Sequence, residues 1–226
     1  MRQEQLERTI GLISEEGVKK LSSAMVLVCG LGGVGGTALE ALARTGLAHF
    51  IIVDFDKVDP SNLNRQILYT SKDITKDKVE AAKERLLMIN PDLDIKTFKG
   101  KAQEFDFNQK IDYLVDAIDD VEGKLFLAKK AQEYNIPSIM SLGMANRFNP
   151  EQVRVSKLNQ TRNDPLAKKI RYEAKKAELD LSKINVVISE EIPQKNAEKL
   201  YSTMMVPSAA GLTIAKFILN SIIDNK

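Results

Sequence analysis

The stretch that decides the fold runs Met25-Val-Leu-Val-Cys-Gly-Leu-Gly-Gly-Val-Gly-Gly36. Its first five residues are apolar and predict a buried strand, and the glycines after them predict a tight turn into a helix. Glycines in that context let phosphates approach main-chain N–H groups at the helix N-terminus. Asp54 ends the next apolar run, about 20 residues on, where a ribose hydroxyl would be held. The pattern predicts an adenine-nucleotide site, but a nicotinamide dehydrogenase, another nucleotide-binding protein and a packing loop all remain open.

Apolar runs alternate with amphipathic segments over much of the chain. The pattern predicts strands at 25–30, 49–54, 95–98, 113–116 and 136–140, with helices at 38–45, 76–89 and 122–134 between them. Such alternation is typical of an α/β fold with a doubly wound, mainly parallel, Rossmann-like sheet and helices on both faces. One or two short amphipathic helices are predicted over 4–21, before the first strand.

The pattern changes after Asn149-Pro150. A half-exposed strand is predicted at 153–156, a charged helix from the cap Asp164 to about Leu179, and a further strand at 186–188. No boundary is visible in the composition, so we expect a single domain over 1–226. It comprises an N-terminal helical arm at 1–23, a nucleotide-binding core at 24–145 and a C-terminal elaboration at 146–226.

Composition and charge are those of an ordinary globular protein. Hydrophobic residues make up 43% and charged residues 28% of the 226 residues, and a net charge of +2 is too small to imply a polyanion partner. Cys29 is the single cysteine, which excludes an intrachain disulfide and a CxxC zinc site. The charged N-terminus is unlike a signal peptide, so we expect a cytoplasmic protein. Polar residues interrupt the apolar stretch 204–223, which favours a buried closing helix over a membrane span.

Three charged residues change the interpretation of the glycine loop. Arg65 lies beyond the second strand, Lys78 near the start of the next helix and Asp119 beyond a later strand. Each alone could be a surface charge. Together at the strand ends of one sheet they suit an enzyme that cleaves ATP, because expelling pyrophosphate builds negative charge that two cations can neutralise. Asp119 could hold Mg²⁺, which takes one or two carboxylates and keeps several waters.

At these residues the chain resembles the ThiF/MoeB/HesA family of ubiquitin-activating-like enzymes. The matching motifs are the GxGGxG loop, Asp-x-Asp at 54–56, Asn-x-Asn-Arg-Gln at 62–66, Lys78 and Asp-Ala-x-Asp at 116–119. The resemblance implies a metal at Asp119 and contacts with ATP by Gly32, Asp54, Asn62, Asn64, Arg65 and Lys78. The predicted nucleotide site is completed by the motif positions Gly30, Gly33, Gly35, Asp56 and Gln66.

The resemblance also implies a homodimer. In this family an N-terminal arginine usually reaches into the partner's ATP site, and Arg8 occupies the matching position. A solvated helix residue is the alternative interpretation of Arg8. The predicted catalytic residues are therefore Arg65, Lys78, Asp119 and Arg8.

Two branches of the family differ in the carboxylate that they activate. Sulfur-carrier-activating members adenylate the C-terminal glycine of a ubiquitin-like protein and commonly carry zinc cysteines, which this chain lacks. The stretches 119–124, 149–156 and 161–169 look instead like the tRNA threonylcarbamoyladenosine dehydratases. That resemblance implies that ATP activates a threonylcarbamoyl carboxylate on tRNA, after which the side chain closes a ring with net loss of water. Activation of a sulfur carrier remains the alternative.

Two further stretches bear on this branch. The helix after Asp164 could meet tRNA phosphates through basic residues, namely Arg162, Lys168, Lys169, Arg171, Lys175 and Lys176. A mixed charged helix is most often a solvated face, and these side chains need not share one side. Where many dehydratases have a glycine-rich run, this chain has Ser141-Leu-Gly-Met-Ala-Asn146. The resemblance implies a monovalent cation, Na⁺ or K⁺, near that run.

Overall fold

A seven-stranded sheet with the order β3-β2-β1-β4-β5-β7-β6 forms the centre of the protein. The computed structural model describes residues 3–162, 164–194 and 200–224, and the remaining positions of the predicted arm and elaboration lie outside this part of the chain. The strands are β1 Met25–Cys29, β2 His49–Asp54, β3 Asp94–Lys99, β4 Tyr113–Asp116, β5 Ser138–Ser141, β6 Val153–Lys157 and β7 Asn185–Ser189. Neighbouring strands are parallel except for β6 and β7. The predicted α/β class with a mainly parallel, doubly wound sheet is confirmed.

Helices cover both faces of this sheet. They are α1 Gln3–Ser23, α2 Gly33–Thr45, α3 Lys78–Ile89, α4 Val121–Glu133, α5 Pro165–Lys176 and α6 Met205–Asp224. Alternate residues of β1 point to opposite faces, as the period of a strand requires. Val26 and Val28 join the core that holds α2 and α6, whereas Leu27 and Cys29 join the core under α4. A third cluster packs α5 against α4 and β7.

Helix α2 begins at Gly33, five residues before the predicted start at Ala38. Glycine is a poor helix former, so the periodic pattern underestimates a helix whose first turn is rich in glycine. Close packing requires glycine at position 35, because a Cβ added to Gly35 would overlap the Gly30 carbonyl oxygen. Residues 33–36 of the glycine loop therefore form the first turn of α2.

The N-terminal segment 3–23 forms one kinked helical element. Ser14 has a φ of 68° within α1, and it separates two helical pieces. Leu6 on the first piece and Val18 on the second both pack beside Gly46, which follows α2. Both pieces thus lie near the edge at which the parallel strands begin, and the prediction of one or two short helices over 4–21 is confirmed.

Helix α6 is long and apolar enough to cross a membrane by length and composition. One side of it is buried in the main core, at Val206, Ala210, Ile214, Ile218 and Ile222. Gly211 lets it approach α2, since a Cβ added there would lie 2.5 Å from the Val34 carbonyl oxygen. In this structure the apolar stretch is the predicted closing helix of the core.

We expect Ile214→Ala to lower the free energy of unfolding by about 2–5 kcal/mol, because it removes a fully buried side chain. Leu212 lies on the same helix and is 56% exposed, so Leu212→Ala should change stability by less than about 0.5 kcal/mol. Chemical denaturation of both variants measures the difference. Equal losses would mean that α6 does not use this face to close the core.

Candidate active site

The glycine loop lies where the direction of chain winding reverses, between the carboxyl ends of β1 and β4. Gly30 has a φ of 89°, and its amide donates to the Val53 carbonyl at 2.8 Å. A Cβ on Gly30 would lie 2.6 Å from the Ala117 carbonyl group, so only glycine fits. Ligands of open α/β sheets bind at this kind of switch point. Gly32 caps α2 without a side chain, which leaves the first amides of α2 accessible to an anion.

A cavity of about 560 Å³ opens at this edge of the sheet. It is lined by ten predicted site residues: Gly30, Gly32, Gly33, Asp54, Asp56, Asn62, Arg65, Gln66, Lys78 and Asp119. Three others lie elsewhere. Gly35 is buried beneath the loop, Asn64 is exposed next to Arg65, and Arg8 is exposed on α1 near the opposite edge of the sheet.

Asp54, at the end of β2, ties two loops of the cavity together. Its Oδ2 accepts from the Leu31 amide at 2.7 Å, and its Oδ1 accepts from the Asp56 amide at 2.9 Å. Burial raises the pKa of the Asp54 carboxyl, while Lys78 and the two amides act in the opposite direction. The carboxylate thus holds the glycine loop, and each oxygen keeps a second lone pair for a ligand hydroxyl.

Two cations line the cavity, and one of them, Arg65, lies against Gly33 of the glycine loop. Lys78 is 6% exposed, and its Nζ donates to Asp56 Oδ2 at 2.8 Å. Arg65 donates through Nη1 to the Ser61 carbonyl at 2.8 Å and to Asn64 Oδ1 at 2.9 Å. Both charges are therefore held in place before a ligand arrives, which is what electrostatic catalysis requires.

Asn64 does not line the cavity but supports it. Its Oδ1 accepts from Arg65, and its Nδ2 donates to the Ser202 carbonyl at 2.9 Å. The residue therefore links the Arg65 loop to the segment that precedes α6. In this structure Asn64 positions Arg65, and a contact between Asn64 and ATP stays a prediction.

A fully buried ion pair holds the loop that carries Asp119. Lys124 Nζ, in the first turns of α4, lies 2.9 Å from Asp116 Oδ1 at the end of β4, and the two side chains are 0% and 3% exposed. Burial raises the pKa of the Asp116 carboxyl, and Lys124 opposes that rise. Asp120 caps α4 by accepting from the Gly123 amide at 2.6 Å. Asp119 is exposed between these two anchors and lines the cavity.

Sequence reasoning missed several residues of this site. Lys101 and Gln103, which follow β3, line the cavity, and no motif marks them. Lys124 belongs to the stretch 119–124, but its burial is not predicted, because a lysine in a charged helix is usually solvated. Its partner Asp116 lies eight residues earlier, across a loop, so no helical or strand spacing marks the pair.

Cys29 is buried in the core under α4. Burial raises the pKa of its thiol well above the ordinary value, and the nearby carboxylates of Asp116 and Asp54 raise it further. A thiol kept protonated is a poor nucleophile. Cys29 is therefore a small core residue of this structure.

The match to the model of the ThiF family spans residues 5–203. The chain belongs to the ThiF family. Its matched region begins before Arg8 and contains all seven strands together with every residue of the cavity. Helix α6 lies outside the match, although it packs against the helix that starts with the glycine loop.

Several curated ThiF-family relatives carry one name. The tRNA threonylcarbamoyladenosine dehydratase of Bacillus subtilis is 34% identical over 193 residues, which cover 84% of this chain and 76% of that protein. The Escherichia coli enzyme of the same name is 35% identical over 173 residues, which cover 74% of this chain and 64% of that protein. Dehydratase 2 of Saccharomyces cerevisiae is 31% identical, with 97% of this chain and 56% of that protein covered. This chain thus spans between about half and three quarters of these relatives.

A solved structure agrees with these matches. The crystal structure of the E. coli tRNA N6-threonylcarbamoyladenosine dehydratase in complex with ATP superimposes with a TM-score of 0.91 at 27% identity. It covers 98% of this chain and 95% of that one. The molybdopterin-synthase adenylyltransferase of Haemophilus influenzae is 35% identical, but that match covers only 55% of this chain.

We expect Lys124→Met to destabilise this ThiF-family chain by about 3–5 kcal/mol, because it leaves the Asp116 carboxylate buried without a cation. Adding Asp116→Asn removes the stranded charge, so the double variant should recover much of that loss. Thermal and chemical unfolding of the wild type, both single variants and the double variant give the coupling energy. A coupling below about 0.5 kcal/mol would contradict the structural role of the pair.

Proposed function

We propose that the chain is an ATP-dependent tRNA threonylcarbamoyladenosine dehydratase. The observation that carries the proposal is the cavity itself, in which helix amides, Lys78, Arg65 and Asp119 surround one space at the switch point of the sheet. Such a set suits a triphosphate that is cleaved at its α-phosphate rather than merely held. Relatives that match most of this chain bear the dehydratase name, and one of them was solved with ATP.

In the proposed first step, the carboxylate of the threonylcarbamoyl group attacks the α-phosphorus of ATP. A bond forms between a carboxylate oxygen and phosphorus, the bond to the bridging oxygen breaks, and pyrophosphate leaves with that electron pair. The amides of the glycine loop bind phosphate oxygens, while Arg65 and Lys78 neutralise the negative charge that collects on pyrophosphate. Asp54, held by two loop amides, is placed to accept from a ribose hydroxyl.

In the proposed second step, a nucleophile within the same side chain attacks the adenylated carbonyl, and AMP leaves. The nucleophile loses a proton and the ring closes, so the modified adenosine loses one water overall. Since the nucleophile is tethered, it has a high effective concentration and needs no cysteine of the enzyme. The buried and protonated Cys29 agrees with a route that avoids a thioester.

Asp119 fits a magnesium ion. It is an exposed carboxylate at the rim of the cavity, and Mg²⁺ is commonly bound by one or two carboxylates, substrate phosphates and waters. Bound there, the ion would add positive charge beside the phosphates. Within the described residues no group of three or more His, Cys, Asp or Glu side chains could hold a metal, so a cage built entirely from protein is not the design we propose. A monovalent cation near 141–146 stays a prediction.

We also infer a cytoplasmic homodimer in which Arg8 acts in the partner's cavity. Arg8 lies on the first piece of α1, which packs beside Gly46 near the edge where the strands begin, whereas the cavity opens at the other edge. It is exposed and does not line the cavity of its own chain. Only another copy could therefore bring it to the phosphates without rearranging α1.

The alternative function is activation of the C-terminal glycine of a ubiquitin-like sulfur carrier. It has less support, because the matches to molybdopterin-synthase adenylyltransferases cover little more than half of the chain. A nicotinamide-dependent dehydrogenase has less support than either of these functions, since it has no need of Arg65, Lys78 and Asp119 around the phosphates.

We expect Asp119→Ala to lower the rate of pyrophosphate release by on the order of 10³-fold, because it removes the proposed metal ligand from an exposed loop. Thermal unfolding should be unchanged. The assay contains ATP, Mg²⁺ and tRNA bearing threonylcarbamoyladenosine, with mass spectrometry of the nucleosides to record loss of water. Glu80→Ala removes an exposed carboxylate on α3 outside the cavity and serves as the matched control. Full turnover by Asp119→Ala would remove this residue from the mechanism.

Mixing two inactive variants tests the dimer. Arg8→Ala and Asp119→Ala should each be inactive alone, but a mixed dimer would hold one site with both residues intact. Random exchange of subunits should then restore about a quarter of wild-type activity. If the mixture stays inactive after subunit exchange has been verified, or if Arg8→Ala alone is active, Arg8 does not act across the dimer.

A further inference from the structure

Helix α5 presents four lysines and one tyrosine on a single exposed side. Lys168, Lys169, Tyr172, Lys175 and Lys176 are all exposed, and Tyr172 is 60% accessible. Their spacing is i, i+1, i+4, i+7 and i+8, which falls within about 120° of the helix circumference at 3.6 residues per turn. We call these five residues the lysine stripe. It extends about 12 Å along the helix axis, over just more than two turns.

The opposite side of α5 explains why the stripe points outward. Ala167, Ile170 and Ala174 are buried in the cluster that α5 shares with α4 and β7. Arg171 does not belong to the stripe, since its Nη1 donates to the Thr161 carbonyl at 3.0 Å and to the hydroxyl of the same residue. The sequence left open which basic residues of this helix share a face, and the structure resolves the question for these positions.

Three of the four lysines carry unneutralised charge. In the described ranges, Lys168, Lys169 and Lys175 form no ion pair within 4.0 Å, although most lysines of α3 and α4 pair with acids. Lys176 pairs with Glu173, the one carboxylate of α5, at 3.7 Å, and its ammonium also lies 4.3 Å over the ring of Tyr172. The stripe is thus a concentration of positive charge on a chain whose formal net charge is only +2.

The stripe begins at the edge of the sheet where the cavity opens. Asp164, which caps α5, contacts Arg147, and both lie beside Gly143 just beyond the end of β5. At the other end, Asp180 after α5 hydrogen-bonds to Gln132 near the end of α4. Helices α4 and α5 therefore run in parallel, and the first turn of α5 lies at the same edge as the Asp119 loop.

We propose that the lysine stripe binds the phosphate backbone of tRNA and so holds the modified adenosine toward the ATP cavity. This inference rests on the proposed function, and it names the surface that the substrate uses outside the cavity. Lysines bind phosphates as point charges and release counterions when they do so. Tyr172 adds an aromatic ring on which a base or a sugar can pack, with its position set by Lys176.

Charge complementarity also separates RNA from an anionic membrane. A helix that lies in a membrane interface inserts an apolar side between the lipids. The apolar side of α5 is already buried against α4 and β7, so only charge and Tyr172 remain for the surface. The stripe therefore suits a polyanion in water.

The test compares two quadruple variants with the same change in net charge. The stripe variant is Lys168→Gln, Lys169→Gln, Lys175→Gln and Lys176→Gln. The control variant replaces exposed lysines on other elements that have no ion pair among the described residues: Lys19→Gln, Lys72→Gln, Lys96→Gln and Lys216→Gln. Fluorescence anisotropy with a labelled tRNA transcript gives Kd between 50 and 200 mM salt, on the order of the range in which phosphate contacts dominate.

We expect the stripe variant to bind tRNA on the order of 100-fold more weakly at about 0.1 M salt, with a salt slope smaller by about 3 to 4. The control variant should lose less than about fivefold, through net charge alone. Stabilisation by ATP in thermal unfolding should be unchanged in both, because no stripe residue lines the cavity. Turnover by the stripe variant should show a raised KM for tRNA and an unchanged kcat.

The inference is overturned if the stripe variant keeps wild-type affinity, if both variants lose affinity equally, or if vesicles rich in phosphatidylglycerol bind the stripe more tightly than tRNA does. The proposed function fails separately. Wild-type protein that binds tRNA through the stripe, yet never removes water from the modified adenosine, would leave the surface standing and reject the reaction. If the wild-type protein removes water from the modified adenosine but the stripe variant binds tRNA as tightly as the wild type, the proposed function stands and the stripe is rejected as the tRNA surface.

Discussion

The site depends on the contact between the glycine loop and the main chain that follows β4. Gly30 lies against the carbonyl group of Ala117, and Gly35 lies against the carbonyl of Gly30, at separations that leave no room for a Cβ. These two contacts pack the first turn of α2, Gly30 and the chain after β4 against one another, and they place the first turn of α2 at the switch point of the sheet. The cavity, the exposed amides and the position of Asp119 all follow from it, because each is a short distance along the chain from one of these contacts.

Around that contact the protein places charges in two different ways. Asp54 and the Asp116–Lys124 pair are buried and act on the chain itself, by holding loops in position. Arg65 and Asp119 are left partly or fully exposed at the cavity, where a ligand can reach them. Asp54 and Lys78 combine the two roles, since each is buried and still lines the cavity. The buried charged residues therefore fix the loops that carry the exposed charged residues, and a ligand in the cavity can reach the exposed ones.

The sheet could be predicted from the sequence because its central parallel strands, such as β1 and β2, are apolar runs separated by helical patterns. Element ends were less predictable where local and tertiary demands conflict. Helix α2 starts earlier than its pattern suggests, because Gly35 is required by close packing against Gly30 and Ala117, although glycine is a poor helix former. Helix α5 ends at Lys176 rather than near Leu179, where Glu178 has a left-handed φ of 58° that ends a helix.

The candidate site was predictable where residues stand in motifs and not where they come from irregular loops. Ten predicted residues line one cavity, whereas Lys101 and Gln103 reach it from a loop with no recognisable spacing. The burial of Lys124 depends on a partner eight positions away across a loop, which a linear pattern does not show. The sequence alone did not show that the residues of the lysine stripe share an exposed side. The structure shows it, because the buried residues of α5 fix the rotation of this helix about its own axis.

The seating of α6 has a consequence for biosynthesis. Pro207 and Gly211 touch the glycine loop and the first turn of α2, yet α6 follows all seven strands in the chain. On a ribosome, the loop would emerge long before the helix that braces it. Until residues 205–224 have left the ribosome, the glycine loop and the first turn of α2 would therefore lack the helix that packs against them.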